Sequence, residues 1–423
     1  MAIDTTSAQN QELSQTPSVS DVQHTTCCIV GGGPGGAVLA LLLARQGIPV
    51  MLLEAHRDFD RDFRGDTIHP SVMQIMDQLG LAQRLLELPH TKIDRLTVQT
   101  PENTATVADF KRLKTKYPYI TILPQVRFLE FIITEAKRYP NFQLMLGANV
   151  QELIEENGVI RGVRYRGQGG WHEVRAQLTV GADGRHSRLR QLTGFKAIET
   201  SPPMDVLWFR LPRKSDEAGG LNGRIGGGHI VAMLDRSDTW QIAYVIPKGG
   251  YQKLRAEGLE ALRQSIVEVV PELSDAYGGL RQRVEQLKEW SQIAFLCVES
   301  SRLQRWYRPG LLLIGDAAHV MSPVGGVGIN YAIQDAVVAA NAISEPLKKG
   351  HLHLWDLAAV QRQRELPTRI IQAFQSLMQQ QILVRALNSQ QPFKPPFFLR
   401  LPLLRDMLPR LIAFGVWPVR VKI

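Results

Sequence analysis

Gly31, Gly33 and Gly36, in the stretch CCIVGGGPGGAVLA, form a GxGxxG spacing between an apolar, β-prone run from Thr25 to Val30 and a helix-forming run from Gly36 to Arg45. A turn this tight, and a backbone that must come close to a pyrophosphate, both need a missing side chain. The helix behind the turn offers unpaired N–H groups and the positive end of its dipole to such an anion. Gly47 and Pro49 stop that helix, and the next strand, Val50 to Leu53, runs into Glu54. A carboxylate about 20 residues beyond the turn is placed to accept hydrogen bonds from a ribose diol. The same glycines would also serve close helix packing alone. Strand, helix and Glu54 together favour a dinucleotide, and because NAD and FAD share an ADP moiety, this unit does not choose between them.

Two further motifs bear on that choice. VGADGRHSRLR sets Asp183 and Gly184 after a strand, and GDAAHVMSPVGGVGINYAIQDA sets Gly315 and Asp316 after another, with Pro323, Gly325, Gly326, Gly328 and Asn330 beyond. A carboxylate that follows a glycine at the end of a buried strand is a natural acceptor for sugar-chain hydroxyls. Asp316 would equally suit as the N-cap of a helix begun by AAHV. The glycines at 325, 326 and 328 let backbone N–H groups approach a flat ring and donate to an edge where negative charge accumulates on reduction.

With all three motifs in order, the chain from about Thr25 to Asn341 resembles the class A flavoprotein monooxygenases, the p-hydroxybenzoate hydroxylase-like family. The resemblance implies that Gly31, Gly33, Gly36 and Glu54 hold the ADP half of FAD. It places Arg64, in FRGDTIHP, near the flavin pyrophosphate and the nicotinamide path, Gln125 at the ribityl region with Arg127 in the same motif, and Asp183 in contact with both FAD and NAD(P)H. Asp316 would hydrogen-bond the ribityl chain, and the loop after Pro323 would run beside the isoalloxazine ring, with Asn330 at its end. The implied reaction is an NAD(P)H-driven hydroxylation of an aromatic, polycyclic or otherwise lipophilic small molecule: NAD(P)H reduces FAD, O2 adds at the flavin C4a as a hydroperoxide, and one oxygen passes to an electron-rich carbon. Pro323 and Arg64 are the residues placed closest to that chemistry. Rival readings on the same cofactor domain are a reductase of isoprenoid double bonds, a halogenase, and a flavin-binding protein without turnover. Trp240 precedes QIAYVIP, without the second tryptophan of the halogenase Trp-x-Trp-x-Ile-Pro signature.

The elements that must position these residues read as an α/β fold: a Rossmann-like, glutathione-reductase-like FAD-binding domain, an antiparallel-sheet substrate domain and a helical C-terminal region. A disordered polar tail is expected over 1–24. The FAD-binding domain is expected to be discontinuous, over 25–95, 122–200 and 288–345, with the substrate domain over 96–121 and 201–287 and the C-terminal region over 346–423. Helices are predicted from Pro70 to Leu88, Gln125 to Arg138, Leu254 to Val270 and His351 to about Leu387. Strands are predicted in DVLWFRLP, GGHIVAML and WQIAYVIP, separated by a Gly-rich stretch, Gly219 to Gly228, and LLLIGDAAHV reads as a strand running into a helix.

A chain of 423 residues, 44% hydrophobic and 21% charged, has ordinary globular composition. Its +9 charge comes from 49 basic and 40 acidic residues without a dense basic run, so no nucleic-acid partner is indicated. Cys27, Cys28 and Cys297 give neither a disulfide framework nor a zinc site and fit a reducing cytoplasm, and no metal is called for. His69, His186 and His319 fall inside the motifs, where backbone geometry carries the function. In WQIAYVIP, Trp240, Ile242, Tyr244 and Ile246 share one strand face, opposite Gln241, Ala243 and Val245. That first face either roofs an aromatic pocket or packs the sheet on its helix. The segment 397–421, with Arg400, Arg405 and Arg410 among apolar clusters, either lies on a membrane surface or covers an interdomain seam, and Pro402 and Pro409 are expected to break any long helix in it.

Overall fold

The computed structural model describes residues 19–60, 66–101, 103–217, 219–274, 283–380 and 402–422. Strand β1 (Val19–Val30) passes through the glycine turn into helix α1 (Pro34–Arg45), followed by β2 (Val50–Glu54). Then β3 (Thr67–Ile68) enters α2 (Pro70–Gln78) and the single turn α3 (Ala82–Leu85). The sequence predicts one helix here, but Gly80, at φ +73°, breaks it. Strands β4 (Thr91–Ile93), β5 (Arg95–Gln99), β6 (Thr104–Asp109) and β7 (Ile120–Ile122) lead to α4 (Gln125–Ala136). After β8 (Phe142–Leu146), β9 (Asn149–Glu156), β10 (Val159–Gly167) and β11 (Gly170–Gly181) come α5 (Arg188–Thr193) and β12 (Ala197–Thr200). The second block holds β13 (Met204–Pro212), β14 (Leu221–Gly226), β15 (His229–Asp235) and β16 (Thr239–Pro247), then α6 (Tyr251–Glu257) and α7 (Leu259–Val269). These are two helices because Gly258 stands between them at φ +93°. The chain returns through β17 (Ala294–Leu296), β18 (Ser300–Leu303), β19 (Tyr307–Arg308), β20 (Leu311–Leu313) and β21 (His319–Val320) to the helices α8 (Gly328–Lys348), α9 (Leu354–Met378) and α10 (Pro402–Phe414).

Two sheets carry the architecture. In the eight-stranded sheet, β20, β11, β1, β2 and β8 run parallel, while β19 flanks β20 and the β9–β10 hairpin flanks β11. Its central strands are covered on both faces, which is why VMLLE is buried throughout. Ten of the residues in α1 are buried, because it is sandwiched between that sheet, α4 and α8. The seven-stranded sheet has the order β17-β13-β16-β15-β14-β5-β6. Strand β17 thus extends it beyond residue 287, and β7, which straddles the boundary at 121, pairs instead with β3 and β4.

Several elements differ from the sequence reading. Residues 19–24 are not a disordered tail, since β1 pairs with β11 from Val19 opposite Trp171. Their alternation of half-buried and exposed positions is that of a strand, and it gains order only from a partner distant in sequence. The Gly-rich stretch contains β14, since Gly223 can lie flat between β5 and β15. After Leu313 the chain makes a short 3-10 turn, Gly315–Ala317, and a two-residue strand, so the helix starts only at Gly328. Pro409 sits inside α10 rather than ending it.

Candidate active site

The three motif glycines do different work. A Cβ on Gly31, which has φ +104°, would lie 2.4 Å from the Ala182 carbonyl oxygen, and one on Gly36 would lie 2.0 Å from that of Gly31. These two positions close the strand–turn–helix joint. Gly33 is different: its backbone is extended, a Cβ there would meet nothing within 4 Å, and it stands at the N-terminus of α1, which no side chain caps. Open space in front of an uncapped helix end fits a pyrophosphate. Behind the turn, Glu54 Oε2 accepts the Gly32 N–H at 2.8 Å, and Oε1 accepts the His56 backbone N–H at 3.0 Å and its ring N–H at 2.8 Å. The carboxylate is therefore oriented at the end of β2.

Asp183 and Asp316 follow the ends of β11 and β20, which pair with each other, and the Asp183 backbone lies against Gly31. Asp183 takes the Ser187 hydroxyl at 2.6 Å and the Leu189 N–H at 3.1 Å, which shapes the turn into α5. Desolvation raises its pKa above the ordinary carboxylate range, and those hydrogen bonds oppose the shift. Arg190, on α5, reaches the Asp316 carbonyl at 3.5 Å. Asp316 is the middle residue of its turn, whose N-cap is Ile314, so it is not the cap of a following helix.

That turn is held from below by Asp335, which sequence reasoning passed over. Asp335 is wholly buried on α8 and accepts the Gly315 N–H at 2.9 Å, the His319 Nε2–H at 2.6 Å and the Arg364 Nε–H at 2.6 Å. Burial alone would raise its pKa, but His319 and Arg364 hold the carboxyl below its ordinary value. The only hint in the sequence was one acid in the apolar run AIQDAVVAA.

The glycine loop is positioned by a second clamp. Pro323 starts a 3-10 turn in which Gly325 and Gly326 take φ of +80° and +62°. A Cβ on Gly326 would lie 2.7 Å from Thr67 Oγ1, which donates to the Gly326 carbonyl at 3.0 Å. Buried Asn330 donates to the carbonyls of Thr67 (3.0 Å) and Gly326 (3.2 Å) and accepts the His69 N–H at 2.8 Å. Both ends of its amide are thus engaged in holding the loop against β3. Gly328 opens α8, whose N-terminus also lacks a side-chain cap.

Gln125 begins α4, its N–H donating to Asp66 Oδ1 at 3.1 Å, and Asp66 Oδ2 pairs with Arg236 of the β15–β16 turn at 3.1 Å. Burial pushes the Asp66 carboxyl up, and Arg236 pulls the other way. Arg127 is exposed and paired with Glu130 at 3.1 Å. Arg64 lies outside the described residues. Of the three histidines, His186 is exposed, whereas His69 and His319 are buried and bonded within the fold. Cys27 and Cys28 are fully buried in β1, and burial pushes the Cys28 thiol up to about 12, so both serve as small apolar groups. Among the described residues, no group of His, Cys, Asp and Glu could hold a metal ion.

The two faces of the seven-stranded sheet divide the remaining question. Trp240, Ile242, Tyr244 and Ile246 pack with Leu262 and Ile266 of α7, so this face is core and does not roof a pocket. On the opposite face, Val206, Ala243, Val245 and Ile230 form a patch against which Val324 of the glycine loop packs, along with half-buried Trp208 and Ala232. The face of β16 that carries Ala243 and Val245, not the one that carries Trp240 and Tyr244, meets the glycine loop.

Residues 24–372 match the sequence model of the FAD binding domain family. The chain is 34% identical over 407 residues to the 6-methylpretetramide 4-monooxygenase of Streptomyces rimosus, covering 95% of each protein. It belongs to the class A flavoprotein monooxygenases. This flavoprotein monooxygenase binds FAD through the domain just described. Solved structures with low identity share its fold: p-nitrophenol 4-monooxygenase of Pseudomonas putida DLL-E4 (TM-score 0.73, 18% identity, 93% of this chain and 95% of that one) and a flavin-dependent brominase (TM-score 0.71, 18% identity, 92% and 94%). Since one fold hosts both chemistries, the fold does not select between them.

Proposed function

We propose that this monooxygenase hydroxylates an aromatic or polycyclic small molecule, with NAD(P)H as reductant and O2 as oxygen source. The observation that carries the reading is the packing of Val324, from the glycine loop, on the Ala243 and Val245 face of the antiparallel sheet. A ring lying on that face is bounded by the loop of Pro323, Gly325, Gly326 and Gly328. The 34%-identical relative, named for oxygenation of 6-methylpretetramide, supports the substrate class.

Bound FAD would supply the redox chemistry, namely acceptance of a hydride from NAD(P)H and activation of O2 for transfer of one oxygen atom to carbon. The chain supplies position and electrostatics. The end of α1, at Gly33, receives the pyrophosphate, and Glu54 the ribose. Asp316, on a turn fixed by Asp335 beneath it, would accept from the ribityl hydroxyls, with Gln125 and Asp183 on neighbouring elements. The uncapped end of α8 offers positive partial charge to the ring edge that becomes anionic on reduction. Pro323 and Asn330 keep that loop rigid, and the apolar sheet face excludes water from the reacting centre. No helix among the described residues is long and apolar enough to cross a membrane. Leu408, Ile412 and Ala413 of the C-terminal segment are buried against the protein itself, which favours the seam over a lipid surface.

The test is NAD(P)H oxidation by the purified holoenzyme with phenols, quinone precursors and polycyclic aromatics, with products read by mass spectrometry. Ligand-stimulated oxidation with a gain of one oxygen atom is expected. A flavin that is reduced but never oxygenates a ligand would overturn the hydroxylase reading in favour of a reductase, and incorporation of halide in favour of a halogenase.

A further inference from the structure

We propose that α10, together with the C-terminal part of α9, forms an aromatic end wall of the substrate site and sets the size of ring system the enzyme accepts. The inference rests on the reading that the substrate lies on the Ala243 and Val245 face of the sheet, beside Val324.

That face continues past the rung of Ala232 and Ala243 to the rung of Leu234 and Gln241. The patch that packs with Val324 ends near Ala232 and Ala243, and at Leu234 the cover changes. There Leu408, Ile412 and Ala413 of α10 pack with Leu234, with Ala108 of β6, and with Ile120 and Ile122 of β7. The helix therefore closes one end of the face that the glycine loop covers only in part. Two aromatic residues join these regions. Trp208, on β13, packs both with the Val324 patch and with the α10 cluster. Phe374, on α9, packs both with the α10 cluster and with Met321, Val327 and Tyr331 around the glycine loop. Phe414, the last residue of α10, lies in the same cluster. All three rings are only half-buried although each touches core residues, and an aromatic face left partly uncovered beside a ligand is suited to offset or edge-on contact with a second planar ring.

The wall is registered to the cofactor domain as well as packed on the sheet. Buried His69, next to the Thr67 and Asn330 clamp, donates its Nδ1–H to the Ile412 carbonyl at 2.7 Å. Gly415 passes so close to Tyr331 of α8 that a Cβ there would lie 3.0 Å from the hydroxyl. Beyond it, Asn341 donates to the Arg420 carbonyl (2.8 Å) and accepts the Lys422 N–H (2.9 Å), while Gln78 of α2 accepts the Val421 N–H (2.8 Å). The distance from glycine loop to end wall is thus set by α2 and α8, and this distance limits the length of a bound ring system.

The experiment titrates the visible absorption of the bound flavin in the holoenzyme with two probes, polycyclic 6-methylpretetramide and single-ring 4-nitrophenol. Phe414→Ala should weaken 6-methylpretetramide binding about tenfold and change that of 4-nitrophenol less than about twofold. Met407→Ala, on an exposed position of the same helix, should change neither. If Phe414→Ala lowers flavin content, Phe414→Leu, which keeps much of the volume without the ring, is read in the same way. Equal effects on both probes, or none on either, with flavin content and melting temperature unchanged, would overturn the proposal. A wild-type enzyme whose flavin is reduced yet oxygenates neither these probes nor any other phenol, quinone precursor or polycyclic aromatic of the panel refutes instead the hydroxylase reading beneath it.

Discussion

Alanine at Gly36 and alanine at Gly33 should fail in opposite ways. At Gly36 the added methyl would sit 2.0 Å from the Gly31 carbonyl oxygen, at least 1 Å inside the 3.0 Å that real Cβ atoms respect, and the obstacle is backbone. Overpacking of this kind costs about 3 kcal/mol, while the better helix propensity of alanine returns about 1 kcal/mol. A net loss of about 2 kcal/mol in the apoprotein follows. At Gly33 nothing lies within 4 Å and the backbone is extended, so alanine fits, and apoprotein stability should stay within about 0.5 kcal/mol of wild type. The methyl would instead occupy the approach to the α1 N-terminus and weaken FAD at least tenfold, about 1.4 kcal/mol. Urea unfolding of the two apoproteins and FAD titration by fluorescence quenching measure both quantities. A Gly33→Ala protein that binds FAD like wild type, or that unfolds as readily as Gly36→Ala, would refute the division of labour between these glycines.

Asp335→Asn should destabilise the protein by about 3 to 5 kcal/mol, because Arg364 is left as a buried, poorly compensated cation. Adding Arg364→Met should recover part of the loss, and an additive double mutant in thermal unfolding would contradict the coupling. Burial pushes the His69 imidazole down to about 4, so the native state prefers it neutral. Its contribution is complete above the unfolded value of 6.5 and is lost as pH falls toward 4, about 3 kcal/mol in all. In His69→Gln the decline in urea stability between pH 7 and pH 4.5 should therefore be shallower, and an unchanged slope would remove His69 from the acid response. On β16 and β15 the two faces should separate: Ile242→Ala lowers stability by about 2 to 5 kcal/mol with ligand affinity intact. Ala232→Leu instead weakens aromatic binding about tenfold with normal flavin content, and the reverse pattern would place the ligand on the wrong face here.

The glycine turn, Glu54, the Asp183 and Asp316 strand ends and the glycine loop were legible in the sequence because each is local chemistry. A missing side chain, a strand ending in a carboxylate and a helix start lie within a few residues of one another, and their spacing carries the meaning. The order of β1, Asp183 and Asp316 in the parallel sheet follows the same logic, since each acid or glycine must stand at the carboxyl end of its strand.

Partners far apart in sequence were not legible. Asp335 reads as one acid in an apolar helix until Gly315, His319 and Arg364 converge on it, and Asn330 acquires its clamp only when β3 lies beside the glycine loop. Residues 19–24 look like a polar tail because half of a strand's order comes from β11, more than 140 residues away. The substrate sheet misled in a different way: alternation separates its two faces, but large residues suit a helix-packed core as well as they suit a pocket. Only the packing of α7 on one face and of Val324 and α10 on the other decides which is which. FAD as the cofactor was legible in the chain alone, because three short backbone motifs in order carry the family resemblance that implies it. What covers each face of the antiparallel sheet was decided by tertiary structure, because those covers are side chains from separate strands and helices with no fixed spacing along the chain.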